Sequence, residues 1–450
     1  MTVSRVPDDA LWRSVAATLR DVVAPGLRPG HELDTVVQLQ GLAAYAASRP
    51  ADRGKQRARR LGEVLGAPGL ELLQALQASS DLLVAAVEQP ADAGARAQLL
   101  RVELVAQLDE DAAEAAPLLE TFSGHPATDV EPVERRVPDD ERAALTAWFA
   151  DALGGPAPVV RALVLSGGHS RQMLVLDVDG PGGRESFVVR VEQGGTFGTD
   201  GTLEAEAMRA LALAGVPVAP VRWIERDPRA LGHPFFVMDL VPGASAVDDA
   251  ALEAFLHAMH AVHQVDPRAL AGSLGPVPSP EDAVQAQVDR WLGVYRESSA
   301  TAVPLLEEAA AWLRRHLRPT GPVAVVHGDP GPGNFLHESG IITALTDWEF
   351  VHYGDPAEDW AYFATLRSRK LRSSDTWYAD IAEAVGVRHD RATWHAWEVF
   401  NQFKGACANL TALRLFAEGT VTTPNLLAIG TAVHTRFLRQ LADLVGESRG

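Results

Sequence analysis

Residues 323–346 constrain the fold more than any other stretch of this chain. Val323 to Val326 is a short apolar run that reads as a buried strand. His327-Gly328-Asp329 follows, and Pro330, Gly331, Pro332 and Gly333 then exclude both helix and ladder, which predicts a loop. Asn334 ends that loop, five residues after Asp329. Phe335–Leu336 and Ile341–Leu345 read as two strands of a hairpin across Glu338-Ser339-Gly340. Asp347 sits at the end of the second strand. The pattern therefore predicts Asp329, Asn334 and Asp347 at the mouth of one small sheet.

That set suits phosphoryl transfer. A carboxylate must accept the proton of an acceptor hydroxyl, and hard oxygen ligands must hold Mg²⁺ against the phosphates. Asp329 is the candidate base, and Asn334 and Asp347 are the candidate metal ligands. His327 reads as a residue that fixes the loop by hydrogen bonding. Asp355 precedes Pro356, with Glu358 three residues on, which is the pattern of an N-cap, a first-turn proline and a capping-box partner. Asp355 and Asp359 therefore read as tethers of the loop. Glu349 either faces an acceptor or extends a polar rim.

The ordered set His327-Gly328-Asp329, Asn334, Asp347-Trp348-Glu349 and Gly354-Asp355-Pro356 with Asp359 resembles the aminoglycoside phosphotransferase family, a branch of the protein-kinase-like superfamily. The resemblance covers about residues 141–450. It implies a bilobal kinase-like fold, Asp329 as the catalytic aspartate, and Mg²⁺ on Asn334 and Asp347. Residues 291–299 and 397–410 look closest to the subgroup found beside, or fused to, acyl-CoA dehydrogenases.

The preceding segment reads as a small lobe of about five antiparallel strands and one helix, residues 141–243, suited to holding ATP, or GTP. Ser166, Gly167, Gly168 and Ser170 form a turn whose backbone N–H groups can approach phosphates; a plain hairpin turn is the alternative. Kinases place a lysine on the third strand and pair it with a helix glutamate. This chain has no lysine between Lys55 and Lys370, and Arg190 occupies the strand position. An arginine stays charged and can fork onto phosphate oxygens. Glu204 is its expected partner, with Glu206 as the second choice. Phe235 to Gly243 resembles the hinge between lobes, where backbone groups of Asp239 and Val241 would meet an adenine and Met238 would line the back of the pocket.

Helices dominate from Asp248 onward, and residues 244–450 are expected to hold the catalytic centre and the acceptor pocket. Trp291, Tyr295, Asn401 and Lys404 are acceptor candidates; Trp291 and Tyr295 equally suit a core. Lys404 could bind an anionic tail such as a CoA phosphate. His257, His260 and His263 recur at helical spacing without a carboxylate pair, so a zinc site is not expected.

Residues 1–120 read as a bundle of five helices, with starts near Asp8, Glu32, Arg53, Leu70 and Ala93, and residues 121–140 as a linker. The predicted fold class is thus α+β: a kinase-like pair of lobes behind an all-α bundle. The cluster Lys55, Arg57, Arg59 and Arg60 is either a protein-partner contact or a solvated helix face. The formal charge of -19 disfavours nonspecific nucleic-acid and membrane binding. Cys407, the single cysteine, suits an inert buried thiol in a reducing compartment. The N-terminus has no signal-peptide run, and no 18-residue stretch is free of charges and breakers, so a cytoplasmic protein is expected. The expected reaction moves the γ-phosphoryl group of ATP to a small-molecule hydroxyl. The first acceptor reading is a hydroxyacyl-CoA-like metabolite. An aminoglycoside comes second and choline-like or sugar alcohols third, and a non-catalytic nucleotide-binding regulator is the alternative class.

Overall fold

The computed structural model describes residues 8–27, 31–49, 52–123, 135–165, 171–192, 200–419 and 424–447. The chain forms two compact units. One gathers Met1–Val133, Val288–His316 and Gln402–Gly450; the other gathers Glu134–Gln287 and Leu317–Asn401. Among the described residues no helix is long and apolar enough to cross a membrane.

The first unit is helical. Its N-terminal helices are Asp8–Thr18, His31–Ser48, Arg53–Leu65, Leu72–Glu88 and Pro90–Ser123. In the last of these Ala97, Leu100, Leu104, Leu108, Ala115 and Leu118 are buried at three- and four-residue steps, which is the inward stripe of an amphipathic helix. Ala115 and Leu118 pack against Leu427, Ala428 and Ala432, so this core draws on the C-terminal stretch as well. The bundle is therefore not built from residues 1–120 alone. Arg57 reaches Asp111 at 2.6 Å and Arg60 reaches Glu110 at 2.6 Å, so half of the basic cluster holds helix to helix. Lys55 and Arg59 are exposed.

The second unit begins with strand β1 (Arg135–Arg136), inside the stretch expected as a linker; residues 124–134 lie outside the described residues. Helix Asp139–Leu153 follows. Strands β2 (Val159–Leu165), β3 (Arg171–Gly180), β4 (Gly183–Glu192), β5 (Val221–Glu225) and β6 (Phe235–Asp239) complete an antiparallel sheet in the order β1-β2-β3-β4-β6-β5. Leu174, Leu176 and Val178 of β3, Phe187, Val189 and Val191 of β4, and Phe235 and Val237 of β6 share one core with Leu145 and Phe149 of that helix. The two-residue period of a strand then puts Val188 and Arg190 on the opposite face. Short strands β7 (Ala324–Val326), β8 (Phe335–Glu338), β9 (Ile341–Leu345) and β10 (His352–Gly354) carry the motif segment. β7 pairs with β10, and β8 with β9, all antiparallel.

Candidate active site

Arg190 is the hub of the site. It lies on β4 opposite Phe236 of β6, and its side chain is 7% exposed. Helix Gly201–Leu213 starts where Asp200 Oδ1 accepts the Thr202 N–H at 2.8 Å, and its first turn carries Glu204. The Glu204 carboxylate meets Arg190 at 3.4 Å. Glu206 instead pairs with Arg226 at 2.5 Å. The other arm of the Arg190 fork donates to Asp347 Oδ1 at 2.6 Å and lies 3.6 Å from Glu349. Burial works against the guanidinium charge, but Glu204, Asp347 and Glu349 together outweigh it and raise the Arg190 pKa. A single lysine ammonium is a point charge, whereas this planar fork spans three carboxylates.

The loop after β7 is held from beneath. Asp359, fully buried, accepts the backbone N–H of His327 at 2.9 Å and of Gly328 at 2.8 Å, and meets His263 Nε2 at 2.9 Å. Its burial opposes ionisation, yet His263 and the loop amides hold its pKa down at about 2. His327 is also fully buried; its Nε2 meets the Thr346 carbonyl at 2.9 Å, and burial lowers its pKa. Asp355 caps helix Pro356–Tyr362 and also grips the Thr320 hydroxyl at 2.8 Å. Glu358 reaches His352 at 3.1 Å. Asp359 thus tethers the loop as the sequence implies, whereas Asp355 grips Thr320 and Glu358 reaches His352 in place of the expected loop and capping-box contacts. Gly328 has φ +87, and a Cβ there would come within 2.7 Å of Phe350 Cβ, so only glycine fits this step of the loop.

Asp329 and Asn334 meet directly. The Asn334 amide donates to the Asp329 carbonyl and to Asp329 Oδ2, each at 2.8 Å. That directs the Asn334 amide nitrogen at Asp329, and the carboxamide oxygen away from it. Asp329 Oδ1 is buried without a hydrogen-bond partner. Burial raises the Asp329 pKa; Arg367, 3.4 Å away, pulls it back. Asp347 adopts a left-handed backbone, φ 66 and ψ 57, which costs a non-glycine residue on the order of 1 kcal/mol. Trp348, buried beneath it, fixes this turn by donating to the Leu345 carbonyl at 3.0 Å.

Four carboxylates (Asp329, Asp347, Glu204 and Glu349) and two guanidiniums (Arg190 and Arg367) gather in the site. Among the described residues no three His, Cys, Asp or Glu side chains converge as a self-sufficient metal cage. Mg²⁺ needs no such cage, because it takes one or two protein oxygens and completes its octahedron with water and phosphate. Asn334 and Asp347 fit that requirement.

A family model described as "Phosphotransferase enzyme family" matches residues 161–400, more than half of the chain. This chain belongs to that family. Acyl-CoA dehydrogenase family member 10 of Mus musculus is 33% identical over 172 residues, 35% of this chain and 16% of that protein. Acyl-CoA dehydrogenase family member 11 of Mus musculus is 27% identical over 175 residues, 36% of this chain and 22% of that protein. The matches thus span less than a quarter of these relatives' length. A solved structure from Ralstonia eutropha, provisionally named an aminoglycoside phosphotransferase, shares the fold. Its TM-score is 0.50 at 22% identity, over 67% of this chain and 98% of that one.

The family member's remaining predicted residues divide between the units. Ser166, Gly167, Gly168 and Ser170 lie outside the described residues. Asp239 ends β6, where its N–H donates to the Pro220 carbonyl at 3.0 Å, so that N–H is taken. Val241 follows outside any helix or strand, and Met238 is buried. Trp291, Tyr295 and Lys404 belong to the helical unit and are buried there. The Lys404 ammonium lies 6.0 Å from the Trp291 ring centre, and the Tyr295 hydroxyl accepts the Val303 N–H at 2.8 Å. These three are core residues of that unit. Asn401 is fully buried in the catalytic unit and donates to the Glu358 carbonyl at 3.0 Å, so it braces a tether. His263, read as one of three helix histidines, is the support of Asp359. Arg367 and Tyr362 went unnoticed in the sequence; both contact Asp329.

Proposed function

We propose that this chain transfers the γ-phosphoryl group of ATP to the hydroxyl of a small molecule. The observation that carries the reading is the pairing of Asp329 with Asn334 beside an Asp347 held by Arg190. Asp329 orients the acceptor hydroxyl and accepts its proton as the oxygen attacks the γ-phosphorus and the bond to the β-phosphate oxygen breaks. Arg190 neutralises phosphate charge while Glu204 holds it in place. Asn334 and Asp347 would hold Mg²⁺, which would supply further neutralisation of the phosphates. Catalysis then rests on positioning and preorganised charge. GTP can replace ATP if the hinge recognises only backbone-accessible edges.

The acceptor we favour is a hydroxyacyl-CoA-like metabolite. The support is the likeness to proteins named acyl-CoA dehydrogenases, since the buried Trp291, Tyr295 and Lys404 give none. The test is Mg²⁺-dependent ADP formation from ATP across hydroxyacyl-CoAs, aminoglycosides and amino alcohols, with the Asp329→Ala protein alongside. The expected result is a signal stimulated by a hydroxyacyl-CoA and absent from the variant. Stimulation by an aminoglycoside alone would replace the acceptor. ATP binding without any acceptor-stimulated turnover would favour a nucleotide-binding regulator, whose partner surface would then be sought on the helical unit.

A further inference from the structure

The helix Pro356–Tyr362 does not end as an α-helix. It passes into a π-turn, Phe363–Arg367, closed by the Ser368 N–H on the Phe363 carbonyl at 2.9 Å. In an α-helix two residues five apart point about 140° away from each other. A π-turn brings such a pair onto one face, and such turns recur at functional sites. Here the pair is Tyr362 and Arg367. The Tyr362 hydroxyl hydrogen-bonds Asp329. Arg367 Nη1 lies 3.4 Å from both Asp329 carboxylate oxygens, and Nη2 donates to the Pro332 carbonyl at 2.7 Å. The loop is shaped around this side chain. Gly331 has φ +147, and a Cβ there would come within 2.5 Å of Arg367 Cβ.

We infer that Arg367, delivered by this π-turn, is a positioning residue of the transfer reaction: it fixes the Asp329 carboxylate and the 330–333 loop in the arrangement the acceptor hydroxyl must meet. The inference rests on the phosphotransferase reading of the same site. A guanidinium suits the task because one planar group bridges a carboxylate and a carbonyl on one loop, which an ammonium cannot do with fixed geometry.

The test uses the full chain with Mg²⁺-ATP and 3-hydroxybutyryl-CoA as the probe. Arg367→Ala should lower kcat about 10²-fold, the scale of an ångström-level misplacement, with the KM for ATP within about threefold of wild type. Added guanidinium ion should restore part of that kcat. On an Asp329→Ala background the same substitution should cost nothing further, since groups acting as one unit are not additive. Arg367→Lys, the milder change should Arg367→Ala fail to fold, should lose about tenfold and gain nothing from guanidinium. Full additivity with Asp329→Ala, or wild-type kcat in both arginine variants, overturns the inference. If the wild-type chain turns over no acceptor, the phosphotransferase reading is what has failed. Backbone hydrogen exchange over residues 327–336 then judges Arg367. Faster exchange confined to that loop in Arg367→Lys supports the positioning role, and unchanged exchange overturns it.

Discussion

Two arginines, one in each unit, show different designs: Arg190 is buried and Arg101 is half-buried. Arg101 of the helical unit donates to Glu308 at 3.2 Å through Nε, and Glu308 is 1% exposed. This contact holds helix Pro90–Ser123 to the stretch that carries Glu308. Arg190 of the second unit meets three carboxylates, Glu204, Asp347 and Glu349. Burying a charge is costly unless it is matched. Arg101 holds one helical stretch to another, whereas Arg190 gathers three carboxylates at one place.

The comparison can be broken most directly at Asp329. Asp329→Ala should reduce turnover by about 10³-fold or more while leaving Mg²⁺-ATP affinity within a few-fold, measured by kinetics and by nucleotide titration. Retained turnover would remove the catalytic half of the contrast. In the helical unit, Glu308→Ala should cost about 3 kcal/mol, because it strands a mostly buried guanidinium, and Mg²⁺-ATP affinity should not change. Replacing both Arg101 and Glu308 by apolar residues should recover most of that loss in denaturant unfolding. A shared loss of nucleotide affinity would show that the pair is not purely architectural.

A third test uses acid. The Asp359 pKa is depressed from 3.8 to about 2, so its ionised form favours the folded state. That stabilisation is fully present above about pH 4 and is lost as the pH falls toward 2; it amounts to about 2 kcal/mol. Asp359→Asn should therefore be less stable than wild type at pH 6, and the gap should close by pH 2. A gap that persisted there would assign the loss to packing rather than to charge. The smallest effect belongs to the exposed pair Arg59–Glu63, 3.9 Å apart, where Glu63→Gln should change stability by less than about 0.5 kcal/mol.

Much of this was legible in the sequence, for identifiable reasons. Pro330, Pro332 and the flanking glycines dictate a loop wherever they occur, so the register of Asp329 and Asn334 could be read without a structure. The kinase pattern of a strand cation and a helix glutamate pointed to Arg190 and Glu204, and the two pair at 3.4 Å. Trp291, Tyr295 and Lys404 could not be placed, because an aromatic on a helix looks the same whether it lines a pocket or fills a core. Arg367 was invisible for a different reason. A π-turn shifts the helical phase by one residue, so a 3.6-residue reading points its side chain the wrong way. Nothing in the 37 residues between Asp329 and Arg367 signals their contact.

The helical unit is assembled from three separate stretches, with the catalytic unit's residues between them. During synthesis its first 133 residues emerge well before Gln402 does. At about 5–20 residues per second that interval is on the order of tens of seconds. Throughout it, the apolar stripe of helix Pro90–Ser123 lacks its C-terminal partners Leu427, Ala428 and Ala432. The nascent chain therefore carries a long-lived sticky intermediate, and its yield in a cell should depend on chaperones and on translation speed more than the stability of the finished protein would suggest.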